Sequence, residues 1–144
     1  TKLFRSALDF PKLLEVTRQV AEAMSVAEQV EFQPGDALTS DFGIDRFDIV
    51  LLGKILYYFR VDQVRAMLHR MHLALKGDGL AVISTYIADD RRCTDEKALM
   101  AALQLFIFAP QSEVYTYSEY RRLLTDTGLT HVTQHSDKLI SASK

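Results

Sequence analysis

The stretch Asp48–Phe59, DIVLLGKILYYF, decides the fold because its character changes in the middle. Its first half is apolar on both faces of an extended chain, which is typical of a strand covered by helices on either side of a parallel sheet. The apolar run ends at Gly53 and Lys54, and Tyr57 and Tyr58 follow shortly afterwards. We therefore expect a buried strand with a cation and two phenols just beyond its carboxyl end.

Length and composition exclude several classes of protein. The chain has 144 residues and an apolar content of 48%, enough for the core of one domain spanning residues 1–144. The formal net charge of −2 argues against a nucleic-acid-binding surface. No apolar run reaches the roughly eighteen residues that cross a membrane, and the first residues lack the pattern of a signal peptide. The only cysteine, Cys93, excludes an internal disulfide, so we expect a cytoplasmic protein without nucleic-acid or membrane partners.

Strand and helix patterns alternate on both sides of the opening stretch. Before it, KLFRSALD and QVEFQPGD are typical of strands and enclose a helical repeat in FPKLLEVTRQVAEAM. Asp9 or Phe10 can cap this helix, and Pro11 suits its first turn. After the opening stretch, apolar spacing predicts a helix over 61–75, which the glycines of KGDGL would stop before the strand LAVISTYI.

The remaining residues predict two more helices and a hairpin. Apolar spacing indicates a helix over 95–108, and Thr116 with Glu119 forms a capping box for a last helix that ends at Gly128. The segment HVTQHSDKLISASK is typical of two short strands joined by a turn. This order predicts an α/β fold with a doubly wound, mostly parallel sheet and a terminal antiparallel hairpin.

In such sheets, ligands bind beyond the carboxyl ends of the strands. This edge would hold Asp9, Asp36, the Gly53–Tyr58 turn and Tyr86–Asp90. An acidic residue at a strand end can accept hydrogen bonds from ribose hydroxyls, and one at the next strand can bind an adenine amino group. The alternative is that Asp9 only caps its helix and Asp36 only shapes the Pro-Gly-Asp turn.

Five segments carry a resemblance to a known family. In order and spacing, ALDFPKLLEVT, VEFQPGDAL, FDIVLLGKILYYF, LHRMHLALKGDGLAVI and YTYSEYRRLLTDTGL resemble the S-adenosylmethionine-dependent methyltransferases of the small-molecule O-methyltransferase type. The resemblance implies a Rossmann-like catalytic domain and S-adenosylmethionine as cofactor. It also implies that Asp9 holds the cofactor ribose and that Asp36 lies beside the adenine. The cofactor-binding positions implied in this way are Asp9, Phe10, Asp36, Ala37, Gly53 and Lys54.

The proposed catalytic position departs from the family pattern. Where relatives have LHDW, with a histidine that removes the proton from a substrate hydroxyl, this chain has LYYF, so Tyr57 takes that place. A phenol is a poor base at neutral pH unless a cation such as Lys54 lowers its pKa. A tyrosine here resembles the branch that methylates carbon atoms of bacteriochlorophyll-type tetrapyrroles. The alternative for Tyr57 is an aromatic ring that only packs beneath the site.

The resemblance also places an acceptor wall on the helix over 95–108. We expect a flat, aromatic or otherwise hydrophobic small-molecule substrate, although apolar residues at helical spacing more often form core than a ligand wall. The substrate-binding positions predicted are Tyr58, Met100, Leu103 and Phe106, with Phe108 and Tyr115 nearby. His69 and His72 lie three apart on a helix without an evident third ligand, so no metal site is predicted.

The glycine-rich loop that follows the first strand of the family does not occur in this sequence. The chain therefore resembles the C-terminal part of a longer enzyme, one that forms a homodimer through an N-terminal helical domain. The contrasting hypothesis is a non-catalytic α/β module derived from a methyltransferase. A different dinucleotide enzyme is the third alternative, which the absence of G-x-G-x-x-G disfavours.

Overall fold

The computed structural model describes residues 5–144, so the start of the predicted strand KLFRSALD lies outside the described residues. Strands and helices alternate, which confirms the α/β class. The elements are β1 (Arg5–Asp9), α1 (Pro11–Ala23), β2 (Val30–Pro34), β3 (Phe47–Gly53), α2 (Val61–Ala74), β4 (Leu75–Ser84), α3 (Glu96–Phe108), α4 (Tyr117–Asp126), β5 (Thr130–Ser136) and β6 (Leu139–Ser143).

The chain divides into two compact units, which we describe separately. The first unit ends at Asp41 and contains a parallel pair of strands, β1 and β2, connected by α1. Asp9 lies opposite Pro34 in this pair, so both strands end at the same level. Phe10 is the N-cap residue of α1 and Pro11 opens the first turn, as the sequence predicts.

The second unit, residues 42–144, holds a four-stranded sheet in the order β3-β4-β6-β5. β3 and β4 are parallel, whereas β6 is antiparallel to both β4 and β5. The predicted terminal hairpin is confirmed. Where one sheet was expected, the strands of residues 5–144 form two, and β1 and β3 each pair with a single neighbour.

Helix α2 supplies the centre of the core in this unit. Val64, Met67, Leu68 and Met71, which the sequence predicts as one apolar stripe, are all fully buried. Burying side chains of this size contributes about 1.5–3 kcal/mol each relative to leaving them exposed. α4 adds Tyr120, Leu123 and Leu124 to the same core, and its capping box between Thr116 and Glu119 is present as predicted.

The boundary between α2 and β4 differs from the prediction. The helix ends at Ala74 and the strand begins at Leu75, so the glycines of KGDGL lie within the strand and do not stop the helix. Pairing with neighbouring strands explains the difference, because Leu75 lies opposite Phe47 and the amide of Lys144 donates to the carbonyl oxygen of Gly79. Pairing with distant segments therefore extends the N-terminal end of β4 through the glycine-containing sequence KGDGL.

Two apolar faces are exposed in the structure. On β3, Leu52 is buried but Ile49 and Leu51 are each 61% exposed, so the expectation that this strand is covered on both faces is wrong for the described residues. On α1, only Leu14 and Ala21 are buried. The apolar residues exposed on that helix are Leu13, Val16 and Val20, followed by Met24.

Among residues 5–144, no helix has both the length and the apolar character that a membrane span requires.

Candidate functional site

Asp9 and Asp36 lie at the carboxyl ends of neighbouring parallel strands. The amide nitrogen of Gly35 donates a 3.0 Å hydrogen bond to the carbonyl oxygen of Asp9, which ties the two strand ends together. Asp36 is the next residue after Gly35, so the first unit brings both acidic residues to one edge, as the sequence predicts.

Each of these carboxylates uses one oxygen to hold its own loop. Asp9 Oδ1 accepts the amide of Phe10 at 2.8 Å, and Asp36 Oδ1 accepts the amide of Leu38 at 2.8 Å. α1 has no side-chain cap, so the alternative that Asp9 serves as its capping side chain is wrong. Both side chains are only partly buried, and within the described part of the chain their Oδ2 atoms have no hydrogen-bond partner. Each therefore retains an acceptor oxygen for a ligand hydroxyl or amine.

Gly53 and Lys54 form the turn at the carboxyl end of β3. Lys54 has a φ of 51°, in the left-handed region, and its amide donates to the carbonyl oxygen of Ser84 at 2.6 Å. The turn is thereby joined to the end of β4. A Cβ atom added at Gly53 would contact nothing within 4 Å, so the described residues leave open space there.

Tyr57 is a buried phenol within a cluster of aromatic rings. Its side chain is 6% exposed, and its ring centroid lies 4.6 Å from that of Tyr58 and 5.7 Å from that of Tyr86. Burial raises the pKa of Tyr57 well above its usual value, and a hydrogen bond with the Tyr58 side chain raises it further. Loss of hydration is the largest of these causes and no cation is among them, so the condition under which Tyr57 could act as a base, a cation such as Lys54 that lowers its pKa, is not met by the described residues.

Tyr115 and Tyr120 belong to the core. The Tyr115 hydroxyl donates to the carbonyl oxygen of Phe59 at 3.1 Å, and burial is the main cause that raises its pKa to about 12. The hydroxyl oxygens of Tyr120 and Thr85 are 3.2 Å apart, and both residues are buried. Tyr115, which the sequence analysis placed near the predicted acceptor wall, is buried, and its ring packs edge-on against Tyr120.

Helix α3 turns its small residues inward and its large apolar residues outward. Ala98 and Ala101 are buried in a cluster with Ala88 and Val114, and Leu105 packs against this cluster. The three predicted wall residues on this helix, Met100, Leu103 and Phe106, are more than half exposed, and Phe106 reaches 71%. They take no part in the core of the second unit, which leaves them available to a ligand or to another protein surface.

The loop before α3 contains an anchor that the sequence analysis missed. The Asp89 carboxylate accepts hydrogen bonds from the amides of Arg91, Cys93, Thr94 and Asp95, at 2.9–3.2 Å. These backbone donors, with that of Thr94 first, lower the pKa of Asp89 to about 2. Asp95 then caps α3 by accepting the amides of Lys97 and Ala98.

Arg92 ties this loop to the start of α4. Its guanidinium donates to both carboxylate oxygens of Glu119, at 2.7 and 2.8 Å, and to the carbonyl oxygen of Val114 at 2.8 Å. Its contact with Glu113 is longer, at 3.3 Å. The only sequence feature that points to these contacts is the charged loop DDRRCTDE between a strand and a helix. Spacing cannot show which residues Arg92 pairs with, because its partners lie more than twenty residues away.

His69 and His72 do not form part of a metal site with the residues that the structure describes. Residues 5–144 contain no group of three or more His, Cys, Asp or Glu side chains arranged to hold a metal ion. His72 is partly buried, and the resulting loss of hydration lowers its pKa; its imidazole lies 3.1 Å from where a Cβ on Gly128 would stand. Gly128 has a φ of 93°, so contact and conformation both require glycine at this helix end.

The sequence is similar to known proteins over most of its length. The family model of the O-methyltransferase domain matches residues 3–130. The tetracenomycin polyketide synthesis 8-O-methyl transferase TcmO of Streptomyces glaucescens is 28% identical over 127 residues, covering 88% of this chain and 37% of TcmO.

Solved structures show the same fold. A candidate O-methyltransferase of Nostoc punctiforme PCC 73102 is 28% identical, with a TM-score of 0.91, over 96% of this chain and 43% of that chain. An O-methyltransferase family protein of Burkholderia thailandensis is 22% identical, with a TM-score of 0.89, over 99% of this chain and 44% of that chain. The chain thus spans less than half the length of these relatives.

Proposed function

The chain belongs to the O-methyltransferase domain family, and from this premise we propose that it acts in the transfer of a methyl group from S-adenosylmethionine to a hydroxyl oxygen of a flat, hydrophobic small molecule. The observation that carries the proposal is the family match over residues 3–130, which includes both strand-end aspartates and the Tyr57 turn. The similarity to TcmO, named for a polyketide 8-O-methyl transfer, supports a hydroxyl oxygen as acceptor.

The first unit would contribute hydrogen-bond acceptors for the cofactor. Oδ2 of Asp9 would accept the ribose hydroxyls, and Oδ2 of Asp36 would accept an amino group of the adenine. Both atoms fit the task, because each carboxylate is already oriented through its Oδ1 and retains a second oxygen. The flanking residues Phe10 and Ala37 would contact the adenosine. When bound, the cofactor supplies a methyl group on a positively charged sulfur, which makes that carbon electrophilic.

The second unit would contribute the acceptor surface and the turn at the end of β3. Met100, Leu103 and Phe106 offer exposed apolar side chains that a planar substrate can cover. Tyr58 would contact the acceptor beside them, and Lys54 would provide a positive charge at the strand end. Holding donor and acceptor in line supplies most of the acceleration in a displacement of this kind.

A transfer assay with the complete protein tests the proposal. Purified protein is incubated with S-adenosylmethionine carrying an isotopic label in the methyl group, together with hydroxylated aromatic compounds. We expect labelled methyl ethers as products, and mass spectrometry distinguishes methylation on oxygen from methylation on carbon. Labelled carbon–carbon products would favour the tetrapyrrole-type branch instead.

Failure of both binding and transfer would contradict the proposal. If calorimetry detects no binding of S-adenosylhomocysteine and no labelled product forms, the non-catalytic module is the better description. If S-adenosylhomocysteine binds but no methyl group is transferred to any of a chemically broad set of acceptors, the proposal is limited to cofactor binding.

A further inference from the structure

The turn that follows β3 is held at both of its ends by hydrogen bonds to other segments. At its start, the amide of Lys54 donates to the carbonyl oxygen of Ser84 at 2.6 Å. At its end, the Tyr115 hydroxyl donates to the carbonyl oxygen of Phe59 at 3.1 Å. Tyr58 lies between these two fixed points, and its side chain is 45% exposed. The position of this exposed phenol ring therefore depends on the bonds that hold the two ends of the turn.

A second bond from the segment before α4 reinforces the end of the turn. The amide of Glu113 donates to the carbonyl oxygen of Tyr57 at 3.0 Å. Glu113 and Tyr115 thus bind two carbonyl groups of the turn that lie two residues apart. Of these two donors, only the Tyr115 hydroxyl belongs to a side chain. A substitution can therefore remove its bond to the turn while the backbone bond remains.

The same segment also holds the loop that leads into α3. The carbonyl oxygen of Val114 accepts the guanidinium of Arg92 at 2.8 Å, and the carbonyl oxygen of Tyr115 accepts the amide of Ala88 at 3.0 Å. The Val114 side chain lies in one buried cluster with two alanines of α3. The turn after β3 and the helix α3 are thus attached to one short support, residues 113–115.

The Tyr115 hydroxyl is oriented by the packing of its own ring. The ring is 3% exposed, and its centroid lies 5.5 Å from that of Tyr120 in an edge-on arrangement. Burial is the main cause that raises the pKa of Tyr115 to about 12, so the hydroxyl keeps its proton and remains a donor at neutral pH. Tyr115→Phe would keep the ring and remove only the bond to Phe59.

We infer that Tyr115 is a positioning residue for the methyl acceptor, because its hydroxyl fixes the turn so that Tyr58 and the outer face of α3 keep one relative position. This inference rests on the proposed function, which assigns both of these surfaces to the acceptor. Tyr115 is buried, so it acts through the Phe59 carbonyl group and does not touch the acceptor itself. The bond therefore contributes to the choice among acceptors of different shape.

The test is a competition between two acceptors in the complete protein. 2-Naphthol and 4-methylphenol are supplied together at equal concentration with S-adenosylmethionine; if neither is methylated, two acceptors of different width from the transfer assay replace them. The ratio of the two methyl ethers reports the ratio of the two kcat/KM values and does not depend on how much of the protein is folded. Tyr115→Phe should lower the ratio of the wider to the narrower product by about 3-fold or more, because the wider acceptor depends on more of the Tyr58 ring.

The matched control is Tyr120→Phe. It removes another buried phenol hydroxyl, one that lies 3.2 Å from the hydroxyl oxygen of Thr85 and does not bond the turn. A loss of stability alone lowers both products together, so we expect the product ratio of Tyr120→Phe to match that of the unsubstituted protein.

A second readout does not depend on turnover. Amide hydrogen exchange over residues 56–60 reports how firmly the turn is held. We expect Tyr115→Phe to speed this exchange by about 3- to 10-fold, the effect of one lost hydrogen bond, and Tyr120→Phe to leave it unchanged.

Three results would overturn the inference while leaving the proposed function intact. The first is a product ratio in Tyr115→Phe that is equal to or higher than that of the unsubstituted protein. The second is an equal fall of the ratio in Tyr120→Phe. The third is exchange over residues 56–60 that is no faster in Tyr115→Phe, which would show that the bond does not hold the turn. The absence of both S-adenosylhomocysteine binding and methyl transfer would instead contradict the proposed function itself.

Discussion

The amide of Gly35 and the carbonyl oxygen of Asp9 are joined by a 3.0 Å hydrogen bond across two neighbouring parallel strands. The bond fixes the distance along the sheet edge at which Asp9 and the following Asp36 stand. Two carboxylates in this relationship can contact one elongated ligand at two points, and this is the geometric basis for the proposal that both bind the same cofactor.

Neutral substitutions at these positions should weaken cofactor binding. Asp9→Asn and Asp36→Asn each retain the oxygen that holds the local loop but replace Oδ2 with a donor. We expect affinity for S-adenosylhomocysteine in the complete protein, measured by calorimetry, to fall by about 10-fold or more for each, as for a lost hydrogen bond to a charged group. Asp78→Asn, an exposed carboxylate in β4, is the control, and an equal effect there would contradict the assignment.

The outer face of α3 should influence acceptor binding without supporting the fold. Because Phe106 is 71% exposed, Phe106→Ser should change the free energy of unfolding by no more than about 0.5 kcal/mol, while KM for an aromatic acceptor rises. Leu105→Ser is the matched control on the inner face, where we expect a loss of about 1–3 kcal/mol in urea denaturation. If Phe106→Ser were the more destabilising change, the residue would belong to a core.

The buried hydroxyl pair of Tyr120 and Thr85 should contribute to stability as a unit. The two oxygens are 3.2 Å apart, so Tyr120→Phe leaves Thr85 with only its longer contact to the carbonyl oxygen of Tyr86. We expect a cost of about 1 kcal/mol for Tyr120→Phe. In a double-mutant cycle with Thr85→Val, the coupling should be about 0.5–1 kcal/mol, and additive effects would show that the two groups do not interact.

The Arg92 contacts should order the start of α3. Arg92→Gln removes the paired hydrogen bonds to Glu119 and the one to Val114, and we expect a loss of about 1 kcal/mol because the pair is partly exposed. Amide hydrogen exchange over 89–98 should become faster. Arg91→Gln, a neighbour for which the described residues provide no ion pair, should leave both quantities unchanged.

The Asp89 anchor should make stability depend on acid pH. Its pKa is about 2 in the folded chain because backbone amides stabilise the anion, against about 3.9 when unfolded. The unfolded state therefore binds the proton first as pH falls, so this contribution is present above pH 4 and is lost towards pH 2. We expect Tm to fall less steeply over that interval in Asp89→Asn than in the unsubstituted protein. Parallel plots of Tm against pH for the two proteins would show that the Asp89 anchor contributes nothing to stability.

Local signals predicted the elements well. The stripe Val64, Met67, Leu68 and Met71 is buried, and the capping box and the terminal hairpin are present. These features depend on residues close together in sequence. The strand start at Leu75 was missed because it depends on pairing with Phe47, a partner twenty-eight positions away that outweighs the usual effect of the glycines.

The candidate site was only partly accessible from the sequence. Spacing placed Asp9 and Asp36 at adjacent strand ends, since parallel strands share an edge. Spacing could not show that the pKa of Tyr57 is raised. The loss of hydration that raises this pKa comes from burial against rings that separate segments contribute. An apolar stripe shows that a helix face needs cover, but it does not show which residues cover it, and this limit applies equally to α1 and α3.

One long edge of β3 has no strand partner among residues 5–144, and Ile49 and Leu51 project from that strand largely exposed. A strand edge that has no strand partner, next to exposed aliphatic side chains, can start cross-β stacking between molecules. The solubility of the 144-residue polypeptide in isolation should therefore depend on shielding of β3 more than on net charge, and a lysine at position 51 should delay the appearance of fibrils.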